Sequence, residues 1–164
     1  VESIVTNSDG VIREQLVELL RGKGAHLSFD EAIAGLSLKL RGVRPEGVPH
    51  SVWRLVEHMR IAQKDILEFS KDGRHKSPKW PERYWPKGDG PADAKQWNES
   101  VKAFRADLKE MIRVVKDKKV DLLSPIPGGQ GQTVFREAML VADHNSYHLG
   151  QIVVVRRILG AWED

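Results

Sequence analysis

The sequence predicts an all-α protein, a four-helix bundle with one long crossover between its second and third helices, and three observations carry that prediction. Four stretches repeat their apolar residues at spacings of three and four, the period of a helix with one buried face. No stretch alternates apolar and polar residues as a half-buried strand does. Between the second and third helical stretches, residues 71–91 are rich in Pro, Gly, Lys and Trp. That connection is too long for a tight helical hairpin, and at about 3.3 Å per residue it can run the length of a bundle. A chain of 164 residues is expected to form one domain, residues 1–164, large enough to bury a core without covalent staples.

Asp9 is expected to cap a first helix carrying Val11, Ile12, Leu16, Leu19 and Leu20, with Gly22 and Gly24 ending it. Ser28-Phe29-Asp30-Glu31 reads as a capping box opening a short helix to about Leu38. Arg41 to Pro49 holds too many breakers to be regular. Ser51 then caps the second long helix, whose inner side holds Val52, Leu55, Val56, Met59, Ala62, Ile66 and Phe69. After the connector, in which Trp80, Tyr84 and Trp85 are expected to anchor the chain on the bundle, a third helix runs from about Ala92 to Lys118. Pro91 suits its first turn, and Trp97, Val101, Phe104, Leu108, Met111, Ile112 and Val115 follow helical spacing. Leu122 to Gln132 is a turn-rich break before Thr133 caps the last helix, which continues to about Leu159 with Gly160 as its stop. Ile152-Val153-Val154-Val155 is apolar around more than one face, and a homodimer covering part of that helix is expected.

Composition removes several function classes. The chain has no cysteine, so disulfides, thiolate ligands and a cysteine nucleophile are excluded, and any metal site falls to histidine and carboxylate. Lys and Arg number 26 against 23 for Asp and Glu, with the signs interspersed, so no nucleic-acid partner is expected. Lys116-Asp117-Lys118-Lys119 reads as a solvated helix end. No signal segment or membrane-length apolar run is visible, and a cytoplasmic protein with no membrane partner is the expectation. Gly128 and Gly129 lack the Lys-Ser or Lys-Thr ending of a phosphate loop.

The sharpest chemical signal lies in the last helix, at Asp143-His144-Asn145-Ser146-Tyr147-His148-Leu149-Gly150-Gln151. Val141, His144, His148, Gln151, Ile152, Val155 and Leu159 share one stripe, so both imidazoles face the interior about one turn apart. His58 borders the buried stripe of the second helix, three after Leu55 and four before Ala62, and can meet them. The plain alternative is a pair of core histidines hydrogen-bonded to neighbours or water. Two neutral imidazoles on an apolar stripe with a third within reach are more simply satisfied by a cation, and three histidines leave it positions open for water or substrate.

The surroundings reject familiar sites. Asn145 stands where a zinc protease needs Glu, and Val141 and Asn145 stand where a di-iron bundle needs Glu before its histidines. Ser51 and Ser146 carry no mark of an activated nucleophile. Gln151 is placed to orient His148 or a water, and Asp143 and Asn145 project from other faces than His144. His26, His50 and His75 lie in or beside connectors and read as ordinary polar positions, with His50 the one placed to line a pocket.

One histidine in Leu55-Val56-Glu57-His58-Met59-Arg60-Ile61-Ala62-Gln63, His-x-x-x-His followed by Gly-Gln in the last helix, and the ending Arg156-Arg157-Ile158-Leu159-Gly160 together resemble the DinB family of DinB/YfiT-like metalloenzymes. The resemblance covers nearly the whole chain. It implies an up-down-down-up four-helix bundle, often dimeric, holding nickel, zinc, iron or manganese on His58, His144 and His148. It further implies that some relatives transfer groups to bacillithiol, mycothiol or glutathione, whose sulfur attacks an electrophilic small molecule. Two function classes follow: a metal-dependent thiol transferase or hydrolase, and a non-catalytic, stress-associated metal-binding dimer.

Overall fold

The computed structural model describes residues 2–22 and 24–162 and is helical throughout. Among the described residues there are five α-helices, α1 (Glu2–Leu20), α2 (Phe29–Ile33), α3 (Val52–Lys71), α4 (Ala94–Lys116) and α5 (Val134–Ile158), a single 3-10 turn at Leu38–Leu40, and no strand. None of these helices is long and apolar enough to cross a membrane.

Three expected caps are in place. Ser28 and Glu31 close a reciprocal capping box, while Ser51 and Thr133 accept the backbone N–H of Arg54 and Arg136 at 3.2 and 3.1 Å. Three boundaries differ from expectation. Asp9 is not a cap: the helix already runs through it from Glu2, and its carboxylate accepts Arg13 Nε one turn on at 2.8 Å. The short helix stops at Ile33 instead of Leu38, because Gly35 takes a left-handed φ of 67° and the chain resumes as the 3-10 turn. The third long helix starts at Ala94, capped by Asp93 through Gln96 N at 2.7 Å, which leaves Pro91 outside its first turn. At the far end Gly160 does stop α5, with φ 63°.

Among the long helices, α3 packs on α4 and α5, α1 packs on the same two, and α2 lies against α5. Between α3 and α4, Glu57 meets Ser100, Gln63 meets Phe104 and Lys64 meets Asp107, so numbering rises together along that contact. Two apolar clusters fill the interior. One gathers Phe29, Trp53, Leu55, Met59, Phe104 and Ile152, and the other gathers Leu16, Leu20, Leu67, Met111, Val115 and Val141. A buried amide relay is made where Asn145 Nδ2 donates to Gln63 Oε1 at 2.9 Å and Gln63 Nε2 donates to the Phe104 carbonyl at 2.8 Å, tying α5, α3 and α4 together.

Arg156 shows why α2 sits where it does. It is buried on α5, and its guanidinium donates to the Ala32 carbonyl at 2.6 Å and twice to the Ala161 carbonyl at 3.0 and 2.7 Å. Replacing it with Met keeps the apolar stem but leaves those carbonyls without their donor. We expect Arg156→Met to lose about 3 kcal/mol, read as a lower urea midpoint with unchanged slope.

Candidate metal centre

His58 enters the interior from the middle of α3, and His144 and His148 enter from consecutive turns of α5. Their ring centroids lie 4.9, 4.6 and 4.5 Å apart, and one ligand atom from each falls within 4.8 Å of the others. His58 and His148 are buried and His144 is half-buried. Burial, with the neighbouring imidazoles adding to it, pushes the His144 pKa down to about 3. Burial also carries His148 down to about 4, against the opposing bond to Gln151, and lowers His58. The cluster is therefore neutral at ordinary pH.

Hydrogen bonds decide which nitrogens face inward. His58 Nδ1 lies 2.9 Å from the Tyr84 carbonyl, which only accepts, so Nδ1 carries the proton and Nε2 presents its lone pair. His148 Nδ1 lies 2.7 Å from Gln151 Oε1, which fixes the same tautomer. His144 Nε2 approaches His58 Nε2 at 3.1 Å. Three nitrogens bound tetrahedrally at about 2.0–2.1 Å would sit roughly 3.3 Å from one another, so the donor set fits a divalent cation. The outer hydrogen bonds are those that raise the basicity of such ligands.

The connector supplies much of this support. Trp85 stacks on His58 at 3.9 Å with 3° between planes, and also stacks on His50 at 3.9 Å. Tyr84 Oη donates to Asp65 Oδ2 at 2.5 Å, and His75 Nε2 donates to the other oxygen of Asp65 at 2.9 Å. Burial and the adjoining Asp65 push the Tyr84 pKa up to about 12. Arg54 adds a bond to the Pro86 carbonyl at 3.2 Å, and Ser51 binds the Asp89 carbonyl. Tyr84 and Trp85 thus anchor the crossover as expected and at the same time touch the histidine cluster, and Trp80, though largely exposed, lies edge-on to Tyr84 at 5.3 Å and 6.4 Å from the His58 ring.

Of the remaining candidates, Gln151 orients His148, and His50 lines a cavity beside the site. His75 and His26 lie outside the cluster, bonded to Asp65 and Ser146, and Asp143 is exposed on α5. Asn145 is buried and turned to Gln63, away from the cluster. Sequence reasoning missed Asp65 and the Tyr84 carbonyl. Asp65 had a signal: it follows His58 by seven residues, two turns along the same face of α3. The carbonyl had none.

A sequence model of the DinB superfamily matches residues 25–152 of this chain, a span that holds all three histidines, Gln151 and the whole crossover. The chain belongs to the DinB superfamily. No curated protein matches it.

The pH dependence of this DinB chain follows from the lowered pKa values. Unfolded histidines take up protons near pH 6.5, whereas folded His144 and His148 do so only near 3 and 4, so between those limits the unfolded state binds more protons. Metal-free protein should therefore lose stability as pH falls from about 6.5 towards 4. A urea midpoint that declines over this window, and declines less in His144→Gln, is the expected result; a midpoint flat in pH would contradict neutral burial of the pair.

Proposed function

We propose that this DinB protein is a metal-dependent enzyme of the thiol S-transferase or hydrolase class, with His58, His144 and His148 as its metal ligands. The carrying observation is the convergence of three neutral imidazoles, two of them held by Tyr84 and Gln151 in the tautomer that turns Nε2 inward. Membership in a metal-associated superfamily supports the same reading. Nickel, zinc, iron or manganese suits the donor set, and such an ion, when bound, supplies a Lewis acid that lowers the pKa of a thiol or of water. The protein's own part is to keep the imidazoles unprotonated, to orient them through Tyr84 and Gln151, and to cover one side with Trp85. The substrates on this reading are a low-molecular-weight thiol of the bacillithiol, mycothiol or glutathione kind and an electrophilic small molecule.

The same reading takes the chain as one DinB-like domain over residues 1–164, a cytoplasmic homodimer, and an up-down-down-up four-helix bundle made of α1, α3, α4 and α5. Support for the topology comes from the rising contacts between α3 and α4. It comes also from the descending ones in which Leu55 adjoins Gln151 and Val155 while Gln63 meets Asn145. Sedimentation velocity tests the dimer.

Elemental analysis of untagged protein is the deciding measurement. About one ion per chain is expected, lost in His144→Ala and His148→Ala while the helical circular dichroism remains, followed by metal-dependent consumption of an electrophile in the presence of thiol. No retained ion, and none taken up when the four metals are added back, would sink the proposal. Bound metal without turnover would favour the non-catalytic, stress-associated dimer. Because Asp65 holds Tyr84 and so the carbonyl on His58, Asp65→Asn should weaken metal binding about tenfold without removing a ligand, as a competition titration against a chelator would show.

A further inference from the structure

The cavity lined by His50 flanks the histidine cluster on the side of Gln151. It has a volume of about 380 Å³, within the range of small-molecule sites, and its walls come from the 48–50 connector, Leu55 of α3 and the outer turns of α5. Its lining is almost wholly apolar, from Val48, Leu55, Tyr147 and Val154 among others, and includes no Asp, Glu, Lys or Arg. Only His50 and Gln151 bring side-chain amide or imidazole groups to it. A charged group placed against this lining would meet no ionised side chain within it; the neighbouring cation, Arg54, is turned to His50 Nδ1 at 3.4 Å and to the Pro86 carbonyl.

Gly150 forms part of this wall from the middle of α5, where glycine costs about 0.5–1 kcal/mol relative to alanine. The usual structural reasons for a helical glycine are missing. Its φ is not in the left-handed region, and a Cβ built on it would meet nothing within 4 Å, so no close helix crossing requires it. What the missing side chain leaves open is the cavity itself.

Residues of the cavity wall touch the histidines or share a neighbour with them. Gln151 in its wall accepts the Nδ1 proton of His148 at 2.7 Å, Tyr147 lies edge-on to His148 at 5.0 Å, and His50 shares Trp85 with His58. None of the three histidines lines the cavity itself; Gln151 and His50 stand between it and the cluster, so a molecule with its apolar end over Gly150 meets Gln151 before His148.

We propose that this cavity is the subsite for the apolar portion of an uncharged co-substrate, a neutral alkyl or aryl compound, whose reactive end faces the histidine cluster; the inference rests on the metal-enzyme reading above. Benzyl alcohol, benzoate and benzyltrimethylammonium serve as probes of one shape and three charges, titrated into isotope-labelled, metal-loaded protein and followed by the amide resonances of Gly150, Gln151 and Val154. Benzyl alcohol should give saturable shifts at these positions, and the two ions should bind at least about tenfold more weakly. Gly150→Leu, whose side chain occupies the cavity, should bind benzyl alcohol at least about tenfold more weakly while retaining the metal content of the natural chain. Val154→Arg, which brings a cation to the exposed wall, should turn the preference towards benzoate.

Equal binding of all three probes, or undiminished binding by Gly150→Leu, would overturn the subsite. So would shifts that follow protein concentration instead of probe concentration, which would mean that a second copy of the chain fills the cavity. Benzyl alcohol binding to a protein that retains no metal would leave the cavity standing and defeat the metal-enzyme reading instead.

Discussion

Keeping three imidazoles uncharged inside the bundle is the constraint on which the rest of the site depends. A protonated histidine at this depth would carry an unpaired charge into a desolvated volume, and burial accordingly drives His144 and His148 far below the ordinary histidine range. Neutrality alone does not make a ligand set, because a neutral imidazole can turn either nitrogen inward. The acceptors at Tyr84 and Gln151 resolve that choice for His58 and His148, and they lie on the outer side of each ring. Lone pairs are thereby concentrated at one point, an arrangement that water satisfies poorly and a cation satisfies well.

That arrangement explains why so long a connector is held so closely. Asp65 takes hydrogen bonds from both Tyr84 and His75, fastening two points of the crossover to α3 through one carboxylate. Fastened in this way, the connector delivers a backbone carbonyl to one edge of His58 and an indole to its face. The aromatic residues of the connector are thus packing and site at once. Two roles meet in the same side chains because the crossover runs over His58.

Buried polar groups elsewhere follow the same economy. Gln63 and Asn145 join three helices by amide hydrogen bonds between the two apolar clusters, and Arg156 spends its donors on the carbonyls of Ala32 and Ala161. Each sits where an apolar side chain would have packed but would have left the relative placement of helices less specified. Their positions set the register of α5, and the register of α5 decides that His144 and His148 face α3. Gly150 and Gln151 then follow on the flank beside the apolar cavity.

Helical period, cap residues and the histidine spacing are local properties, so they are legible in the chain itself. Ser28, Ser51 and Thr133 cap where local chemistry places them, and His58, His144 and His148 lie on inward stripes because three-four spacing determines a face. Local signals failed where two of them competed. Asp9 has the chemistry of a cap but lies within a longer helix, and Gly35 breaks a helix that the apolar spacing would have carried on. The connector's path was decided only by tertiary structure. Whether Tyr84 offers its carbonyl to His58, whether Asp65 holds Tyr84, and whether an apolar space opens over Gly150 all depend on segments distant in sequence meeting at one place. No periodicity encodes a backbone carbonyl as a partner, since every residue has one and only the fold selects which is used.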